Sequence, residues 1–144
     1  MSTFQDRLHA LGPDALRNIR RGIEKESLRV APDGALAAGP HPRALGSALT
    51  HPHITTDFSE SLIELVTPTF RNNPDLLQYL NDLHQFVYRH LGDELLWATS
   101  MPCELSSGDE VPVARYGVSN IGLMKTAYRN GLRHRYGALM QAIS

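Results

Sequence analysis

The sequence predicts an α+β fold. Three observations carry this: a strand-like stretch, "GIEKESLRV", at 22–30; a second apolar-rich stretch, "ITTDFSESLIELVTP", at 54–68, able to pair with it; and a helical pattern over 74–91. The 144 residues suffice for one domain with its own core.

In order, Thr3 can cap a first helix, with Asp6 in capping-box position and Phe4, Leu8 and Leu11 as one stripe. "PDALRNIRRG" allows a second short helix, with Leu16 and Ile19 as its apolar contacts. After the first strand, "APDG" has turn chemistry, and "ALAAG" can return beside the strand, making 22–38 a hairpin. Residues 39–53, "GPHPRALGSALTHPH", read as loop with room for one helical turn. His41, His51 and His53 there offer either a metal pair or plain loop side chains, and no cysteine lies near. Pro68 closes the second strand.

The helix over 74–91 has Asn73 as its cap, Pro74 at its first position and Asp75 in its first turn. Leu76, Leu80, Leu83, Val87 and Leu91 share its core face, and Gly92 ends it, leaving His84 and His90 at the surface. "ELLWATSMPCEL" reads as a loop or irregular strand broken by Pro102, with Trp97 and Met101 covering the core and Cys103 as a small buried residue. "SSGDEVP" is a turn. From Ser119 the pattern is helical again through Ile121, Met124, Ala127 or Tyr128, Leu132 and Arg135. Gly122, Gly131 and Gly137 each weaken that helix by about 1 kcal/mol and allow a break.

Composition narrows the class. No apolar run approaches the roughly 18 residues of a membrane span. The N-terminus lacks the apolar block of a secretory signal, and one cysteine cannot form an internal disulfide, so a cytoplasmic setting is expected. Residues 1–110 hold all 15 acids and nine bases, while 111–144 hold five bases and no acid. That basic end suits an anionic partner, or a helix face folded back on an acidic body.

Four carboxylates stand out. Glu24 and Glu26 alternate on one strand face, roughly 6.6 Å apart at about 3.3 Å per residue. Asp57 stands at a loop-to-strand junction, and Glu64 lies in the apolar run "LIELV", where an unpaired carboxylate is costly. Asp57 and Glu64 are seven residues apart, so both reach one site only if 57–60 is loop or bulge. Paired strands would present three or four hard oxygen ligands, which suit Mg²⁺ or Mn²⁺ and, through the metal, nucleotide phosphates. No GxxxxGK[ST] or GxGxxG loop occurs, so a P-loop or dinucleotide fold is unsupported.

"RGIEKESLRV", "HPRALGSALTHPHITTDFSESLIELVTP", "DLHQFVYRHLGDELLW" and "YGVSNIGLMKTAYRNGLRHRYGALMQAIS" together resemble the N-terminal part of the proteobacterial glutamate–cysteine ligase (γ-glutamylcysteine synthetase) family, from about residue 13 to the last. The resemblance implies a fragment of a glutamine-synthetase-like fold: a curved, mostly antiparallel sheet with packed helices. It implies ATP-dependent joining of the γ-carboxyl of glutamate to cysteine through γ-glutamyl phosphate, the first step of glutathione biosynthesis. The partners are then glutamate, cysteine and ATP, with Mg²⁺ (or Mn²⁺) as cofactor and neither membrane nor nucleic acid. It places Glu24, Glu26, Asp57 and Glu64 as metal ligands, and Phe58, Tyr128, Leu132 and Gln141 in the cysteine pocket.

The family's chain goes on well beyond the match. Residues 1–144 are therefore expected to be the N-terminal portion of one incomplete catalytic domain, inactive alone, weak in metal affinity and prone to self-association through surfaces that truncation exposes. Two other readings stand beside this one: a carboxylate–amine ligase of related fold with another amine, and a non-catalytic module binding a polyanion through 115–135.

Overall fold

Glu24–Val30 (β1) and Leu62–Val66 (β3) form the centre of the fold, paired antiparallel with Glu26 opposite Glu64 and Leu28 opposite Leu62. The computed structural model describes residues 3–105 and 111–137, the side chains of Pro13 and Leu16 apart. Ile54–Thr55 (β2) flanks β3, and Leu95–Leu96 (β4) flanks β1, giving the order β2-β3-β1-β4 with every pairing antiparallel. The α+β class is thus observed. The segment expected as one strand, 54–68, is instead two strands joined by the loop 56–61. That loop is what the odd spacing of Asp57 and Glu64 required.

Opposed residues in an antiparallel pair share a face, and successive residues alternate. Ile54, Ile63 and Leu65 therefore point one way, and they meet Leu45, Val87, Leu91 and Leu96 in the larger core. Each fully buried Leu or Ile there contributes about 1.5–3 kcal/mol. The other face is divided. Leu28, Val30 and Leu62 pack with Cys103 at one end, under Trp97, and Glu24, Glu26 and Glu64 occupy the other end.

The helix Asn73–Tyr88 (α3) lies on the larger core. Its cap is Asn72, not Asn73: the Asn72 side chain accepts from Asp75 N–H at 2.8 Å, which puts Pro74 second in the helix. The stripe Leu76, Leu80, Leu83, Val87 and Leu91 faces inward as its spacing dictates. Arg43–Leu45 makes one 3₁₀ turn in the loop before β2.

Phe4–Ala10 (α1) has the expected capping box between Thr3 and Asp6, but its apolar stripe is exposed among the described residues. Pro13–Arg17 (α2) follows. The turn after β1 forms, with Gly34 at φ 90, yet its return segment makes only a single bridge, Val30 to Leu36. Ala35 pairs with Glu104 instead. Trp97 covers the smaller core as expected, whereas Met101 is exposed and offers its backbone carbonyl to the Trp97 indole N–H at 2.7 Å.

Asn120–Tyr136 (α4) runs unbroken, capped by Ser119, whose hydroxyl accepts from Gly122 N–H. Gly122 is a contact residue rather than a weak point. A Cβ there would lie 2.4 Å from the Tyr116 carbonyl oxygen, so only glycine lets α4 settle on 116–117. Most of "SSGDEVP" lies outside the described residues. No helix among the described residues is long and apolar enough to cross a membrane.

Candidate functional site

The register sets Glu24, Glu26 and Glu64 on one sheet face, with Glu26 and Glu64 directly opposite and Thr55 opposite Glu64 on its other side. Asp57 comes to the same region from the 56–61 loop, close enough for its charge to act on both Glu26 and Glu64. Burial first, then the charges of Asp57 and Glu24, pushes the Glu26 carboxyl above its ordinary range. Glu64 is pushed up by burial and by Glu26, Asp57 and Glu24, and drawn down by Arg129. The half-buried setting of Glu64 matches the cost foreseen for an acid in an apolar strand.

The loop carrying Asp57 is held from behind. The Tyr116 hydroxyl, 2.9 Å from the Thr56 carbonyl and 2.7 Å from that of Asp57, is shared between them. Burial keeps this hydroxyl protonated, its pKa pushed up to about 12. Ala114 N–H donates to the Phe58 carbonyl and Glu60 N–H to that of Pro112. The buried Glu60 carboxylate accepts from His41 N–H at 3.0 Å and Arg115 N–H at 2.6 Å. Fully buried Arg29 donates to the Glu60 and Gly39 carbonyls and pairs with Glu94 at 2.7 Å.

Arg129 closes the site from α4. Its guanidinium donates to both the carbonyl and the carboxylate of Asp57 and lies 5.2 Å from the centroid of the Tyr116 ring. Lys125 stands over the same ring at 4.7 Å. The basic helix face is thus partly folded back on the acidic body.

All four acids expected as ligands meet electrostatically at one end of the sheet, but they are not gathered into a ligand set. Among the described residues, no three acidic, histidine or cysteine groups converge closely enough to hold an ion as they stand. By donor chemistry and charge the residues nonetheless fit a hard divalent cation: four carboxylates share this end of the sheet, Arg129 acts on Asp57 and Glu64, and Glu26 and Glu64 are raised by burial first and then by the neighbouring carboxylates.

Of the residues expected in a cysteine pocket, Phe58 is half-buried on the Asp57 loop, and Tyr128 (exposed) and Leu132 (half-buried) lie one turn apart on α4. Among the described residues, no ring contact joins Phe58 to Tyr128. Gln141 lies outside the described residues. Two of the three loop histidines serve the loop through their rings: His51 Nδ1 accepts from the N–H groups of His53 and Ile54, and His53 Nδ1 meets the Val66 carbonyl.

Arg129, Tyr116, Glu60 and Arg29 escaped the sequence reading as site residues. The lone arginine of "SLRV", in an otherwise buried strand, was the available signal for Arg29.

An antiparallel sheet with an acidic end, closed by a basic helix, defines an α+β protein with a carboxylate-rich face. The model of the glutamate–cysteine ligase family matches residues 6–144. The glutamate–cysteine ligase of Alcanivorax borkumensis is 57% identical over the whole chain, and that of Shewanella amazonensis 52%; the chain spans 28% of each. Among solved structures, the glutamate–cysteine ligase of Francisella tularensis in complex with AMP superposes with a TM-score of 0.81 at 44% identity, covering 86% of this chain and 25% of that one. A bifunctional glutathione synthetase from Pasteurella multocida gives 0.74 at 37% identity, covering 85% and 16%. The chain belongs to the glutamate–cysteine ligase family and has its fold. It spans about a quarter of the length of the relatives it matches.

Proposed function

We propose that these residues are the N-terminal portion of a catalytic domain that ligates the γ-carboxyl of glutamate to cysteine at the expense of ATP, through γ-glutamyl phosphate, in the first step of glutathione synthesis, and that the chain alone is inactive. The observation that carries this is the acidic sheet end: Glu24, Glu26 and Glu64 on one face, with the charge of Asp57 acting on Glu26 and Glu64. These four would hold Mg²⁺ or Mn²⁺. The metal, when bound, neutralises charge on phosphate oxygens so that a carboxylate can approach them.

This chain's own residues do the positioning. The β1–β3 ladder holds Glu26 opposite Glu64. Tyr116 and the 111–116 segment fix the Asp57 loop. Phe58, Tyr128, Leu132 and Gln141 supply one side of the amine-acceptor pocket. AMP in the Francisella relative supports an adenine nucleotide as co-substrate. A cytoplasmic setting accords with the free, buried Cys103. The polyanion reading loses support from Arg129 and Lys125, which are engaged by Asp57 and the Tyr116 ring.

The test is calorimetric Mg²⁺ titration of this chain and of its Glu26→Gln and Glu64→Gln variants, with the same substitutions in an intact ligase assayed for turnover. Weak binding lost in both variants, and turnover lost with folding retained, is expected. Unchanged binding and turnover would remove the acidic face from the site.

A further inference from the structure

Arg129 is placed like a counter-cation. Its guanidinium takes Asp57 at two points, carbonyl and carboxylate, and its side chain is nearly covered while Asp57 stays partly open. It is seated against the Tyr116 ring, whose hydroxyl holds the same Asp57 carbonyl. Gly122 lets α4 approach closely enough for this reach. The charge of Arg129 also acts on Glu64, opposing three carboxylates. A guanidinium is planar and permanently charged, and it satisfies a carboxylate without drawing other acids around it. Asp57 is thereby held by the guanidinium while Glu24, Glu26 and Glu64 stay at their strand positions.

We propose that Arg129 and a divalent cation compete for Asp57: without metal the guanidinium holds the aspartate, and metal binding displaces it. This rests on the reading of the acidic face as a cation site. A metal ion drawn to Asp57 repels the guanidinium beside it. The displaced side chain belongs to α4, next to Tyr128 and one turn from Leu132. Releasing it loosens α4 from the 56–61 loop that carries Phe58. Metal occupancy and the arrangement of the proposed amine pocket are thereby coupled, and the coupling is reciprocal.

Two readouts test this on the 144-residue chain. Mn²⁺ binding is followed by loss of the free-ion electron paramagnetic resonance signal, for the unaltered chain, Arg129→Met and Glu26→Gln, with circular dichroism to check folding. The Arg129 Nε–H resonance is followed through a Mg²⁺ titration of the unaltered chain. Arg129→Met is expected to bind Mn²⁺ about 5-fold or more tightly, and the Nε–H resonance to lose its protection at the Mg²⁺ binding midpoint. If Glu26→Gln weakens binding while Arg129→Met leaves it unchanged or weaker, Arg129 is a structural brace: the competition is overturned and the cation site stands. If neither substitution alters binding, or the chain binds no metal, the cation site fails and the competition with it. If Arg129→Met does not fold, the resonance decides: persistence at saturating Mg²⁺ overturns the proposal.

Discussion

Glu26 stands directly opposite Glu64 across the central strand pair, and both carboxyls are held above their ordinary range. Like charges at opposed positions destabilise a sheet, and burial adds to the penalty. A sheet selected for stability alone would set a cation or an apolar residue at one of these places. In the proposed cation site, a positively charged ligand on this face would offset that penalty.

That penalty is measurable without any ligand. An acid whose folded-state pKa is raised binds more protons in the folded than in the unfolded state between the two pKa values. Stability then falls as pH rises through that window, and the full penalty is present above the folded-state pKa. Glu64→Gln is expected to raise the melting temperature of the metal-free chain at pH 7 and to leave it nearly unchanged near pH 3. Mg²⁺ should stabilise the unaltered chain at pH 7 and not the variant. Paired thermal melts check both.

Tyr116→Phe removes the hydroxyl shared by the Thr56 and Asp57 carbonyls. Leaving such acceptors without that donor is expected to cost about 1–3 kcal/mol in chemical denaturation. It should also weaken metal binding, because the Asp57 loop loses its support. Since burial holds this hydroxyl protonated, the loss should be constant from pH 6 to pH 9.

Gly122→Ala and Gly131→Ala form a contrasting pair on one helix. At 122 a methyl would meet the Tyr116 and Gly117 carbonyl oxygens at 2.4 and 2.8 Å, and at 131 it meets nothing within 4 Å. The first is expected to destabilise by about 1–3 kcal/mol and to break the Arg129–Asp57 contact. The second is expected to stabilise by about 0.5–1 kcal/mol. Denaturation midpoints of the two variants check this.

The exposed Ile121, Leu123, Met124 and Tyr128 leave apolar surface along α4. Concentration-dependent self-association by sedimentation is expected, reduced by Ile121→Lys with Met124→Lys.

The parts of the fold legible in the sequence are those written in local periodicity. The alternation of "EKESLRV" gave β1 and the shared face of Glu24 and Glu26. The stripe from Leu76 to Leu91 gave α3, and Ser119 gave the start of α4. Asn73 was read as the cap where Asn72 serves, because adjacent asparagines carry the same capping chemistry. What periodicity misses are contacts between distant segments. Arg129 reaches Asp57 across 72 positions and Tyr116 reaches Thr56 across 60. Each looked like an ordinary helix cation or loop aromatic, since its role depends on where another segment lies. The exposure of Met101 was hidden for the same reason: β4 ends at Leu96, and the chain turns the Met101 backbone rather than its side chain toward Trp97.

Paramagnetic broadening by substoichiometric Mn²⁺, read across the amide resonances of the chain, tests the cation site most directly. Signals of Glu24, Glu26, Thr55, Asp57 and Glu64 are expected to disappear first and together, and Glu26→Gln to restore them. First broadening around His41, His51 and His53, or uniform loss over the surface, would contradict it.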